Sequence, residues 1–111
     1  MAVYANLLQP RGQAKRKLEI RSTLGTGSAV TIAAEAGDDV TCGFATASEL
    51  GTIEEIGVLS IEGIPANAAV GDITVTADSV VLGCLNNNVA AGADIIVDPT
   101  TITFKLLTIG Y

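Results

Sequence analysis

Residues 101–109 read TITFKLLTI. Ile102, Phe104 and Leu106 alternate with Thr103 and Lys105, the period-two pattern of a strand with one face in a core. The pattern then breaks, because Leu107 and Ile109 fall on the opposite face. Two arrangements satisfy this. A β-bulge between Leu106 and Leu107 would shift the register, or the outer face of the strand is buried against something else. An exposed edge of this composition invites pairing with other chains, so we expect it to be paired or covered.

The same period runs outward from this stretch. Leu18 and Ile20 point one way while Lys17, Glu19 and Arg21 point the other; Val30 and Ile32, then Val40, Cys42 and Phe44, continue the series. IGVLSIEG (56–63), DITVTAD (72–78), SVVLGCL (79–85) and DIIV (94–97) complete it. Between them lie Gly25-Thr26-Gly27, Gly37-Asp38-Asp39, Gly71-Asp72, Asn86-Asn87-Asn88, Gly92-Ala93-Asp94 and Asp98-Pro99, all turn signals. About eight short strands with this punctuation make an all-β sandwich or barrel. TASELGTIEEI (46–56) is the one helical candidate, with Ser48 as a cap, but Gly51 interrupts it and a loop or single turn is expected.

The chain is one small domain of 111 residues, 49% hydrophobic and only 16% charged, the opposite of a disordered composition. Without Trp and with few aromatics, its core must be built from Val, Ile, Leu and Ala. The mean hydropathy of +0.49 is high for a lone domain. No membrane span explains it, since the longest charge-free run, residues 79–93, is shorter than the roughly 20 residues a span needs and contains three Asn. No secretory leader is expected either, because the basic cluster follows the short apolar start instead of preceding it. A small domain has few elements with which to cover its own sheet faces, so one face is expected to be covered by another protein. Cys42 and Cys84 sit in apolar stretches and are read as buried free thiols.

Charge is divided sharply along the chain. Arg11, Lys15, Arg16, Lys17 and Arg21 are five of its six basic residues, so residues 1–30 carry net +4 and residues 31–111 net −10. Residues 1–16 read as a basic N-terminal arm and residues 17–111 as the β-sandwich domain. Catalytic groups are scarce. With no His, the commonest general base and the Ser-His and Cys-His pairs are missing. Asp38-Asp39 and Glu54-Glu55 are adjacent acids, which a strand would send to opposite faces. GTGSA (25–29) lacks the Lys-Ser/Thr of a phosphate loop. No catalytic residue, metal site or cofactor is assigned, and an enzyme is not expected.

The basic stretch is the one concentrated feature. Nucleic acid is a poor fit, because no stacking aromatics accompany the five bases beyond Tyr4 and an acidic body would repel a polyanion. An acidic protein surface fits better: the arm adheres while the body faces away. A short all-β chain with a basic arm, few aromatics, no catalytic set and the Ala/Val/Thr/Gly-rich half TVTADSVVLGCLNNNVAAGADIIVDPTTITFKLL (74–107) resembles the tailed-phage capsid decoration proteins, the cements and staples. In length and layout it is most similar to the epsilon15-type staple. The resemblance implies a small jelly-roll-like β-sandwich on the outer capsid surface of the virion, made in the host cytoplasm. It implies a partner in the major capsid protein and a bridge between neighbouring subunits. The contact residues expected on this reading are Arg11, Lys15, Arg16, Lys17 and Arg21, with Leu107 and Ile109 supplying a dry contact to the shell or to a sister subunit. A homo-oligomer is expected, a dimer ahead of a trimer. The competing classes are another virion or surface β-module, in a tail, a fibre or host-surface binding, and a small nucleic-acid-binding protein.

Overall fold

The computed structural model describes residues 2–4, 16–88 and 92–111 of the chain. They form an all-β domain. The eight expected strands appear as β2 (Lys17–Thr26), β3 (Val30–Ile32), β4 (Gly37–Phe44), β5 (Ile53–Glu62), β6 (Ala68–Val75), β7 (Ser79–Asn86), β8 (Ile95–Val97) and β9 (Thr103–Gly110). A ninth, β1 (Ala2–Tyr4), lies inside the stretch read as an arm and pairs antiparallel with the start of β2, Val3 opposite Leu18. Residues 2–4 of the stretch read as an arm therefore lie in the sheet. Arg11 and Lys15 lie outside the described residues.

The pairing is nested. β2 pairs with β9, β3 with β8 and β4 with β7, each inner pair enclosed by the outer one and all antiparallel. This is a ladder of three nested pairs. Beyond the ladder, β5 adds to β9 and β6 to β7, so the large sheet runs β5-β9-β2-β4-β7-β6. β2 is the hinge of that order. Its residues 17–24 pair with β9, and its last two, Gly25 and Thr26, pair with β4. The molecule is long for its mass. Its radius of gyration is 16.9 Å, against about 13 Å for a compact domain of this length.

The core fills the space between the two halves of the sheet. Val40 and Cys42 of β4, Val80, Leu82 and Cys84 of β7, and Phe104 and Leu106 of β9 are buried with Ile102 and with Ile32, Ile95 and Val97 of the small sheet. Phe104 meets Phe44 edge-on, with centroids 6.0 Å apart. A short 3-10 turn, Pro99–Thr101, precedes β9. Asp98 caps it, accepting from the Thr100 hydroxyl at 2.8 Å and the Thr100 N–H at 3.0 Å, and these donors hold its carboxyl below the usual range. The turn lies so close to β2 that a Cβ on Gly25 would stand 2.4 Å from the Pro99 carbonyl oxygen. Only glycine fits there.

The structure decides two points that the sequence left open. No bulge interrupts β9, whose register with β2 is unbroken from Thr103 to Gly110. Leu107 and Ile109 therefore point outward, and the register shifts fall on β5 instead. TASELGTIEEI forms the expected loop and not a helix: residues 45–52 are a loop, and β5 begins at Ile53. The loop is tied down at both ends, with the Ala45 N–H donating to Leu24 O and the Gly51 and Thr52 N–H groups to Tyr111 O.

The Asn triplet does more than turn the chain. Asn86 is fully buried; its amide donates to Ile32 O and Ala93 O, both at 2.9 Å, and accepts from the Asn88 N–H at 2.8 Å. One side chain thus joins β3, the end of β7 and the approach to β8. Asn86→Ala is expected to destabilise the fold by about 2 kcal/mol, because a buried carbonyl and two half-buried backbone groups lose a hydrogen bond. Urea unfolding measures this; a loss below about 0.5 kcal/mol would mean that water replaces the amide.

A candidate docking face

The outward face of the β5-β9-β2 layer is built by strand alternation. From β2 it takes Leu18, Ile20 and Leu24; from β9, Lys105, Leu107 and Ile109. Register sets Leu107 beside Ile20 and Ile109 beside Leu18, so four apolar side chains form one block across two strands. Ile20 is 37% exposed, Leu24 50%, and Leu59 of β5 52%. Three strands about 4.8 Å apart and eight residues long cover roughly 14 by 26 Å, near 400 Å². Ser22, Thr103, Lys105 and Glu55 share the face, so its apolar part is smaller than this.

The face has relief. Gly57 lies opposite Leu107, and a Cβ built on it would meet nothing within 4 Å. The missing side chain opens a hollow of about 210 Å³ between β5 and β9, walled by Leu107, Ile109 and Glu55. Lys105, the sole base in residues 31–111, stands on the same face two positions before Leu107. The face is apolar at its centre and charged at its ends.

The basic residues divide. Arg16 lies at the start of β2 and pairs with Glu54 of β5 at 2.8 Å, both partly exposed. Lys17 is half-buried opposite Gly110. Arg21 is not at the surface: its side chain is only 9% exposed on the inner side of β2, beside Glu19 at 5%. Alternation placed Glu19 and Arg21 together, and the structure makes theirs the buried face. The cause is local. This half of β2 packs against the 45–52 loop, whose polar groups need partners. Glu19 accepts from the Ser48 hydroxyl at 2.7 Å and the Glu49 N–H at 2.9 Å, and an Arg21 Nη1–H group donates to Thr46 O. Arg21 also stacks over the Phe44 ring at 5.3 Å. It belongs to this buried network and drops out of the charged contact set.

Ile20, Leu24, Leu59 and Gly57 are members of the face that sequence reasoning did not single out. Period alone could not find them, because it gives the side of a strand and not its neighbour. Cys42 and Cys84 are free and buried, as read from their surroundings. Burial pushes the Cys42 thiol up to about 11, with Cys84 adding to the shift, so at neutral pH it stays a protonated, poor nucleophile. Among the described residues no group of three or more acids or cysteines is placed to hold a metal ion. No helix among them is long and apolar enough to cross a membrane. Compared with protein-family models, curated proteins and solved structures, the chain matches none.

Proposed function

We propose that this protein is a structural virion component of a tailed phage, which binds the outside of the assembled capsid and bridges neighbouring major capsid protein subunits. The observation that carries the reading is the outward face of β5-β9-β2, where the register sets Leu18, Ile20, Leu107 and Ile109 side by side as one apolar block. Such a face is adhesive, not catalytic. Arg11, Lys15, Arg16 and Lys17 supply the charged part of the contact, and the acidic body faces away from an acidic shell. A ligand that binds only the assembled lattice stabilises it by mass action, and many copies need only modest affinity each. Self-association as a dimer would let one unit span two subunits.

Co-sedimentation with empty shells of the major capsid protein, across a salt series and beside free DNA, tests this. Saturable binding to shells and not to DNA is expected, weakening as salt rises. Leu107→Asp is expected to lower shell affinity at least tenfold, the effect of about 1.4 kcal/mol, while the circular dichroism of the domain is unchanged. Replacing Lys15, Arg16 and Lys17 together by Glu is expected to weaken binding and flatten its salt dependence. Binding to DNA alone would move the protein to the nucleic-acid class, and binding to neither would sink the capsid reading.

A further inference from the structure

The docking face carries its own complements. On β5 the register with β9 shifts between Val58 and Ser60. Val58 and Ile61 both pack against the core, so the bulge turns Leu59 outward beside Ser60, and Leu59 is 52% exposed. Two residues before it lies Gly57, at the floor of the hollow of about 210 Å³. One strand thus presents a knob and a hole about 6.6 Å apart. Charge repeats the arrangement. Lys105 and Glu55 are both exposed and stand on opposite sides of the Gly57–Leu107 pair, each two residues from it on antiparallel strands. Among the described residues neither is in an ion pair.

We propose that this face closes on the same face of a second copy, in a two-fold dimer. A two-fold contact demands a self-complementary surface: where one residue meets another, the second must meet the first. Register supplies an axis that satisfies this. Val58, Leu106 and Arg21 lie level with one another across the three strands. An axis along that line, between sheets packed about 10 Å apart, sets each Leu59 over the hollow at the partner's Gly57. The same half-turn faces Leu18 with the partner's Leu24, which is 50% exposed in the single chain. It also lays the stem of Lys105 over the partner's Leu107, with its ammonium directed toward the partner's Glu55. An unrelated protein has no reason to match hole to knob and plus to minus by one rotation. Area sets the strength. About 400 Å² from each copy makes about 800 Å² in all, below the roughly 1,200 Å² of a stable complex, so the dimer is weak. Its dissociation constant is expected at about 10–300 µM. On a shell such a pair carries two basic stretches, and so gives the capsid reading its unit that spans two subunits.

The dimer does not rest on the capsid reading and is tested on the full chain alone, without shells. Sedimentation equilibrium is expected to show monomer and dimer exchanging in that concentration range. Gly57→Leu fills the hole from within its own copy, and Leu59→Ser removes the knob. Each is expected to weaken the dimer at least fivefold, with the circular dichroism of the domain unchanged. Lys105→Glu is expected to weaken it at least threefold by setting like charges together, and Glu55→Lys in the same chain to restore it with the signs exchanged. A chain that stays monomeric up to about 1 mM overturns the proposal and leaves the face to the shell. Dimers that hold their dissociation constant in both Gly57→Leu and Leu59→Ser, or that the exchanged charges do not restore, use another surface and overturn it as well.

Discussion

Glu19→Ala is expected to cost the fold about 3–5 kcal/mol, more than any surface charge in the protein. The carboxylate is a hub. It faces Arg21 at 3.6 Å, takes the Ser48 hydroxyl at 2.7 Å and takes the Glu49 N–H at 2.9 Å. Alanine leaves the guanidinium buried without a counter-charge and two donors without an acceptor. Either penalty alone would be felt, and they act on one loop. Hydrophobic replacement of both partners, Glu19→Leu with Arg21→Met, is expected to cost less than Glu19→Ala, because it removes the buried charges instead of stranding one. Urea unfolding of the two variants decides the matter. Should the single variant lose less than about 1 kcal/mol, Arg21 must be reaching water.

A loss of similar size, about 3–5 kcal/mol, is expected for Phe104→Ala. Phe104 is fully buried and is the largest side chain of a core otherwise made of Ile, Leu, Val and Cys. Its ring packs edge-on to Phe44, and through Phe44 it supports the surface over which Arg21 stacks. Nothing nearby is positioned to close the cavity, because its strand is held on both sides, by β2 and by β5. For a domain stabilised by roughly 5–15 kcal/mol the change takes away a large part of the total. Calorimetry is expected to show a midpoint lower by about 12 °C or more. A fall of only a few degrees would mean that the core rearranges to fill the space.

These two sites show how far the sequence could be read. At β9 the alternation is plain and its break at Leu107 is equally plain. The strand and its buried half were legible from nine residues, while the outward direction of Leu107 and Ile109 was one of two arrangements that only the register decides. At β2 the same period is present, but the side facing the interior is the charged one. Period separates the faces of a strand without saying what lies over each, and here the 45–52 loop covers Glu19 and Arg21. The loop itself was legible, since Gly51 forbade the helix that its glutamates favoured. Asn86 was read as part of a turn; its burial depends on carbonyls from Ile32 and Ala93 that only the folded chain brings to it. β1 fell within the stretch read as an arm, which shows no sustained apolar period. The nested order of pairs was also hidden, because a strand's partner is set by topology and not by its own residues.

That nesting has a consequence for how the chain reaches its folded state. The outermost pair joins Lys17–Leu24 to Thr103–Gly110, so the strand at the hinge of the large sheet waits for one made more than 75 residues later. Closing such long loops carries an entropic cost before any contact repays it, and domains dominated by distant pairings fold in milliseconds to seconds. On a ribosome adding about 5–20 residues per second, the first half of the chain spends seconds exposed with β2 not yet joined to β9. The side chains most in view in that interval, Leu18, Ile20 and Leu24, are ones that stay outward in the finished domain. The same adhesive strip that suits the protein to a partner therefore makes its synthesis hazardous, and abundance in the cell will depend on how quickly β9 arrives.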